Sequence, residues 1–374
     1  MKKLKKMRIM IMNKILFTAK VDSHILAFHL PYLKYFKSKG FEVHVASGGD
    51  EVIPYCDVKY NISFGSNPFS RELKKSIKHL NKILEQNNFS IVHTHTAIAS
   101  VLTRISCAKI TAYTPRVMYT AHGFHFLKGG KIKDWILYYP IEKALSKYTD
   151  DLILINHEDY ELAVKKNMAK RVHYIDGIGV DINKFWDSTN ETSDSLCTQL
   201  EGKFVITFVA ELNNNKNQID LLNAIKILHK SHPNIVLLLV GIGENQKFYR
   251  EFVDIYGLNE NVKLLGYRND VPQILKCTDL YVSTSRREGL GLNIIEAIAS
   301  GLYVIAYRGR GHNEIIIDGV NGQLIDHTLD SLTEAILTNI ETPHPRTEEQ
   351  FKSVEKFDCS NAIKKMKEIY EDFE

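Results

Sequence analysis

Two hydrophobic periods take turns along this chain. Compact apolar runs at Ile15-Leu16-Phe17-Thr18, Glu42-Val43-His44-Val45-Ala46, Ile91-Val92-His93, Val117-Met118-Tyr119-Thr120 and Leu152-Ile153-Leu154-Ile155 read as strands. Between them, His24 to Lys39, Leu73 to Gln86 and Ala97 to Ala108 carry apolar residues at helical spacing, the first stopping at Gly40. Between residues 185 and 203 the pattern fails, and the run from Asp187 to Ser195 is polar and without period, as a linker is. The alternation then resumes with strands at Phe204 to Ala210, Ile235 to Val240, Val262 to Leu265 and Leu280 to Val282, and helices at Gln218 to Ser231 and around Gln246 to Tyr256.

Strands that alternate with helices predict parallel sheets covered on both faces. The expected class is therefore α/β, with two Rossmann-like, doubly wound domains. Their expected limits are 1–185 and 203–345, followed by a helical segment, 346–374, for which a return to the first domain is open. Ligands of such sheets bind beyond the carboxyl ends of the strands, so a crevice between the halves is the expected site.

The stretch from Ser285 to Gly301 has the most chemistry. A strand precedes it, Gly289 and Gly291 make a turn, and Ile294, Ile295, Ile298 and Ala299 come next at helical spacing. A helix start offers unpaired N–H groups and a positive dipole end, which suit an anion. Yet two acids, Glu288 and Glu296, bracket the turn. Carboxylates accept hydrogen bonds from vicinal hydroxyls, so a sugar ring, a diphosphate and a ribose in sequence would explain the spacing. A solvated helix start with acids at its N-terminus would explain it too.

Other strand-end loops carry weaker signals. Gly241 and Gly243 come after a strand without the third glycine of a dinucleotide fingerprint, and serve either a nucleotide or a plain tight turn. Lys216 precedes a helix, where it meets a diphosphate or simply solvent. His122, at a strand end before Gly123, either touches a sugar hydroxyl or packs beneath its loop. His93 and His95 lack an obvious third ligand and read as polar loop contacts, so no metal centre is expected. From Lys128 to Lys147, Trp135, Ile136, Tyr138 and Tyr139 alternate with lysines, as in an amphipathic core helix or one that dips into a membrane surface.

Composition narrows the field. A chain of 374 residues is long enough for two cores, and a formal charge of +4 gives no reason to expect nucleic acid as a partner. Five scattered cysteines, Cys56, Cys107, Cys197, Cys277 and Cys359, favour reduced thiols in a cytosolic protein over disulfides or zinc. No apolar run approaches the roughly 20 residues of a membrane span. Lys2, Lys3, Lys5, Lys6 and Arg8 form a basic arm that is either a tail or a contact for anionic lipid; the apolar run behind it is too short for a signal peptide.

Several motifs in order carry a family resemblance over roughly residues 14 to 330. The bracket from Glu288 to Glu296 around Gly289-Leu290-Gly291-Leu292, the Gly241-x-Gly243 turn, Lys216 with Asn217, and Asp318-Gly319-Val320-Asn321-Gly322 resemble the large retaining glycosyltransferase family four, whose fold is called GT-B. The segments Val21 to Tyr32, Tyr119 to Phe126 and Trp135 to Glu142 are similar to its bacterial capsule and exopolysaccharide branch. The resemblance implies that Glu288 holds donor-sugar hydroxyls, that the backbone from Gly289 to Leu292 meets sugar and diphosphate, and that Glu296 holds the ribose. It implies that Lys216 neutralises the leaving phosphate and that Gly241, Gly243 and the Gly266-Tyr267-Arg268 loop border the base.

One position departs from the family's pattern. Where an arginine usually stands five residues before the lysine, this chain has Glu211, so Arg286, Arg287 or Arg310 substitutes, or Lys216 and the helix start suffice. The resemblance implies a cytoplasmic enzyme, peripheral at the inner membrane face, that transfers a sugar with retention from a UDP-sugar to a polyprenyl-diphosphate-linked saccharide. No cofactor or metal is expected, since no Asp-x-Asp occurs. An epimerase of related fold and a non-catalytic sugar-nucleotide binder are the rival expectations.

Overall fold

The computed structural model describes residues 13–65, 71–126, 130–187 and 195–372. The basic arm, Lys128 and most of the polar run after Asp187 lie outside the described residues. Among the described residues the chain forms two compact units, one from Met1–Ile175 with Ile363–Glu374 and one from Asp176–Ala362.

In the first unit the apolar runs become β1 (Lys14–Val21), β2 (Glu42–Gly48), β3 (Val58–Asn61), β4 (Phe89–His95), β5 (Arg116–Ala121), β6 (Asp151–Leu154) and β7 (Arg171–Tyr174). They pair in parallel in the order β3-β2-β1-β4-β5-β6-β7. Ile15, Leu16 and Phe17 of β1 have no exposed surface, as a central strand covered on both faces requires. Leu16 and Val92 pack with Leu80, Leu84 and Leu102 from the helices Arg71–Gln86 and Ala97–Cys107.

The second unit repeats the scheme with β8 (Phe204–Val209), β9 (Ile235–Val240), β10 (Val262–Gly266), β11 (Leu280–Ser283), β12 (Val304–Tyr307) and β13 (Gly322–Ile325), in the order β10-β9-β8-β11-β12-β13. In each sheet strand order reverses once, between β1 and β4 and between β8 and β11. Those reversals are where doubly wound sheets open a crevice at their carboxyl ends.

The division at Ile175 falls ahead of the polar run. Helix Ile182–Asp187 buries Ile182 and Phe185 in the second unit, and that apolar anchorage outweighs the polarity of the residues behind it. At the other end, helix Cys359–Glu371 crosses into the first unit. There the buried Arg116 donates to the carbonyls of Tyr370 and Ile369 at 3.1 and 2.9 Å, satisfying acceptors that a helix end leaves open. One expectation about the cysteines is corrected. Cys197 and Cys277 form a disulfide with Cα atoms 5.1 Å apart, while Cys56, Cys107 and Cys359 are free. The two lie 80 residues apart in sequence and meet only because helix Ser195–Gln199 packs near helix Val271–Lys276, a contact that cysteine spacing does not reveal.

Candidate active site

At the strand-order reversal of the second sheet, the loop after β8 is stitched to the loop after β11. Thr284 Oγ1 bridges the carbonyls of Lys216 and Asn217 at 3.0 and 2.9 Å, and Arg286 N–H donates to the Asn215 carbonyl at 2.8 Å. Asn217 is left-handed, with φ +56°, at the start of helix Gln218–Leu228. Asparagine tolerates that conformation, and here its amide donates to Asp220 at 2.7 Å while its oxygen accepts from Arg286 at 3.0 Å. The stitched loops hold Lys216 against Glu288, and the lysine Nζ is paired with the carboxylate.

The next helix, Leu292–Ala299, starts at Gly291 without a side-chain cap. Asn293 fixes its first turn by donating to the Val209 carbonyl and the Tyr281 hydroxyl, both at 2.9 Å. Leu290 is buried and packs on Gly177, whose φ of +77° favours glycine. Glu296 sits farther along the helix. Burial raises its carboxyl pKa to about 7, against an opposing pull from Lys184.

In the first unit, His122 lies just beyond β5 and does not stand alone. It is grouped with His24 from helix Asp22–Phe28, His29 at the junction of that helix with Leu30–Ser38, and His95 at the end of β4. Rings of His24 and His122 meet edge to face with centroids 4.8 Å apart, and His29 stacks on His95 at 3.7 Å. Burial pushes His24 down to about 4 and His122 to about 3, and holds His29 and His95 well below the usual imidazole range. Thr96, just beyond His95, has φ +63°, an uncommon conformation for a β-branched residue and one that marks stored strain.

The pair His93 and His95 divides. His93 makes buried bonds to the Tyr370 hydroxyl at 2.7 Å and Thr120 at 2.9 Å. Neither ring nitrogen of His95 has a hydrogen-bond partner, so the polar loop contact expected of it is absent and other histidines surround it instead.

Residues 14–156 match the family described as glycosyl transferase 4-like, and residues 198–355 match glycosyl transferases group 1. EpsD of Bacillus subtilis (strain 168), named as a glycosyltransferase, is 40% identical over 319 residues, covering 84% of this chain and 83% of that one. The chain belongs to this glycosyltransferase family. An Escherichia coli UDP-Gal:alpha-D-GlcNAc-diphosphoundecaprenol alpha-1,3-galactosyltransferase is 31% identical over 314 residues, covering 80% of this chain and 79% of that one. The solved structure of Anabaena HepE in complex with UDP-glucose superimposes with a TM-score of 0.75 at 20% identity, covering 96% of this chain and all of the other, so the fold is GT-B.

Within this glycosyltransferase the remaining expected site residues fall unevenly. A side chain at Gly241 would strike the Ala210 carbonyl, and one at Gly243 would strike the backbone of Leu212. Both glycines are thus demanded by the approach of one loop backbone to another, clamped by the Leu212 N–H bond to Ile242 at 3.0 Å. Tyr267 is 77% exposed, and Arg268 is paired with Asp270. Glu211 is exposed, and its carbonyl accepts from Gln218 at 2.9 Å and from the Asn213 N–H at 3.0 Å. Arg310 instead reaches the Glu288 carbonyl at 3.3 Å.

Sequence reasoning missed the support beneath Glu288. Gly311 lies so close that an added Cβ would be 2.9 Å from the Glu288 Cβ, and the next residue, His312, is buried with Nδ1 2.6 Å from the Tyr307 carbonyl. The only signal in the chain was a glycine and a histidine directly behind Arg310. Helix Ile132–Leu145 also resolves into two faces. Trp135, Tyr138 and Tyr139 pack on the Phe124 and Phe126 core, while Ile132, Ile136, Leu137 and Ile141 point outward, the first two 76% and 71% exposed.

Proposed function

We propose that this glycosyltransferase moves a sugar from a UDP-sugar to a polyprenyl-diphosphate-linked saccharide during assembly of a capsular or extracellular polysaccharide, with retention at the anomeric carbon. The observation that carries it is the Lys216–Glu288 pair at the strand-order reversal of the second sheet. A fixed cation, a carboxylate and a helix start within one loop cluster supply what a sugar diphosphate needs: charge for the phosphates and acceptors for the hydroxyls. Glu296 serves the ribose. The UDP and UDP-glucose named with HepE support a uridine donor, and the acceptor named for the E. coli relative supports a lipid-linked one.

Catalysis is electrostatic. As the bond from C1 to the diphosphate oxygen breaks, Lys216, Arg286, Arg310 and the N–H groups after Gly291 stabilise the leaving charge without calling on a divalent ion. The acceptor oxygen bonds C1 from the same face and its proton passes to the departing phosphate. His122 is the first unit's candidate contact to a transferring hydroxyl.

No helix among the described residues is long and apolar enough to cross a membrane. Reaching a lipid-linked acceptor falls to the outward Ile132, Ile136, Leu137 and Ile141, ringed by the exposed Lys131, Lys133, Lys143 and Lys147, which suit the cytoplasmic face of an anionic bilayer.

The test is mass spectrometry of lipid-linked oligosaccharides after incubation with single UDP-sugars. A gain of one sugar with release of UDP supports the reading. A new sugar nucleotide formed from donor alone would make the protein an epimerase, and binding of UDP with no turnover on any donor would make it a non-catalytic binder.

A further inference from the structure

The reversal between β1 and β4 holds four imidazoles that the donor chemistry does not use. We propose that His24, His29, His95 and His122 form a binding site for a divalent transition-metal ion of the zinc class. One ring nitrogen of each lies within 4.8 Å of one from every other, although the four come from separate places in the sequence. A tetrahedral ion with bonds of about 2.0–2.1 Å needs nitrogens roughly 3.4 Å apart, a closure that small side-chain rotations provide.

Unmet hydrogen bonding points the same way. Nε2 of His24 and of His122, and both nitrogens of His29 and of His95, are buried without a partner. Buried polar groups are rarely left so, because each unmatched one has lost its bonds to water without replacement. By contrast His93, next but one to His95, is fully bonded to Tyr370 and Thr120. Among the described residues, the buried side-chain nitrogens without a partner are those of the four rings that converge, while the other unmatched buried atoms are oxygens scattered elsewhere.

The supports are rigid. His95 ends β4, His122 lies just beyond β5, and His24 and His29 lie on or between helices packed on β1 and β2. Desolvation keeps all four rings neutral, the form with a lone pair to give. Four neutral nitrogens, with no carboxylate or thiolate among them, select zinc, cobalt, nickel or copper over magnesium or calcium. The ion's role is to fix the carboxyl ends of the first sheet, and it leaves its charge beside the half-buried His24 and His122. This site stands whether or not the second unit transfers a sugar.

The full chain, prepared without a histidine tag, is assayed for bound metal and titrated with Co²⁺. The expected result is about one zinc ion per chain, replaceable by Co²⁺ with the visible absorption of a tetrahedral complex. His29→Gln and His95→Gln each lower the bound ion at least tenfold, while His93→Gln leaves it unchanged. Zinc raises the melting temperature of the parent chain and of His93→Gln only. A parent chain that takes up neither ion, or a variant at His29 or His95 that binds as the parent does, overturns the proposal; if those variants fail to fold, the Co²⁺ spectrum of the parent decides.

Discussion

Lys216 and Glu288, 72 residues apart, are each other's charge partner. Each role proposed for them, phosphate for the lysine and sugar hydroxyls for the acid, therefore exchanges an existing pair for contacts to the donor. Glu288→Gln removes the acid's charge but not its shape. UDP, which has no donor sugar, is expected to bind this variant as well as the parent or slightly better, because Lys216 gives up no ion pair to meet the phosphates. Turnover falls by 10-fold to 100-fold or more, the equivalent of about 1.5–3 kcal/mol for a charged hydrogen bond. Calorimetry with UDP separates the roles, and a UDP affinity that drops with turnover contradicts the division.

Glu296 makes a pH prediction whose sign is set by burial. Its carboxyl is raised from an ordinary value near 4.5 to about 7, so between those values the folded protein holds a proton that the unfolded chain has released. Stability from this group is present below pH 4.5 and is lost as pH rises toward 7. Every tenfold gain in the folded carboxyl's proton affinity is worth about 1.4 kcal/mol, a ceiling that partial exposure lowers. Glu296→Gln is expected to raise the melting temperature at pH 8 relative to the parent and to match it near pH 5. UDP affinity of the parent, which needs the carboxylate form, rises between pH 6 and 8 and becomes flat and weaker in the variant. A stability difference that is the same at both pH values contradicts the assignment.

How much of the molecule is legible in its sequence depends on element length and burial. The long central strands β1, β4, β5 and β9 announce themselves because both faces are covered and each carries a compact apolar run, unbroken along the whole of β9. β3 and β7 do not: Val58-Lys59-Tyr60-Asn61 and Arg171-Val172-His173-Tyr174 are edge strands of four residues, half-exposed, with polar side chains that blur the period. In the candidate site, Glu288 stands out beside its glycine turn and Lys216 just before a helix, and the structure pairs the two. His24 and His29 do not stand out, because a histidine in an amphipathic helix looks the same whether it meets three others or solvent. Their convergence depends on strand order, and strand order is not local. The glycines at 241 and 243 carry a backbone-packing demand that the sequence does not separate from a ligand signal.

Arg104 and Glu142 supply a stability prediction. Both are buried, 2.8 Å apart, and the guanidinium lies 4.4 Å over the Tyr119 ring. Removing one member of a buried pair strands the other's charge and costs about 3–5 kcal/mol. Glu142→Ala is expected to lower the denaturant midpoint of the first unit strongly, and Arg104→Met with Glu142→Leu together to recover much of the loss. A single change that leaves the midpoint within error contradicts the buried-pair energetics.

The outward face of helix Ile132–Leu145 predicts salt-sensitive binding to vesicles containing anionic lipid. Ile136→Asp with Leu137→Asp is expected to weaken sedimentation with such vesicles by about tenfold while leaving the fold intact, since both side chains are exposed. Equal sedimentation of parent and variant would move the membrane contact elsewhere.

In the proposed reaction Lys216 meets the leaving diphosphate. The direct measurement is the rate of UDP release with UDP-sugar and lipid-linked acceptor, compared between the parent, Lys216→Ala and Lys216→Arg at equal folded concentration. Release is expected to depend on acceptor, to fall about 100-fold in Lys216→Ala and to be partly restored in Lys216→Arg. Release that proceeds at the parent's rate without the Lys216 cation would contradict that role.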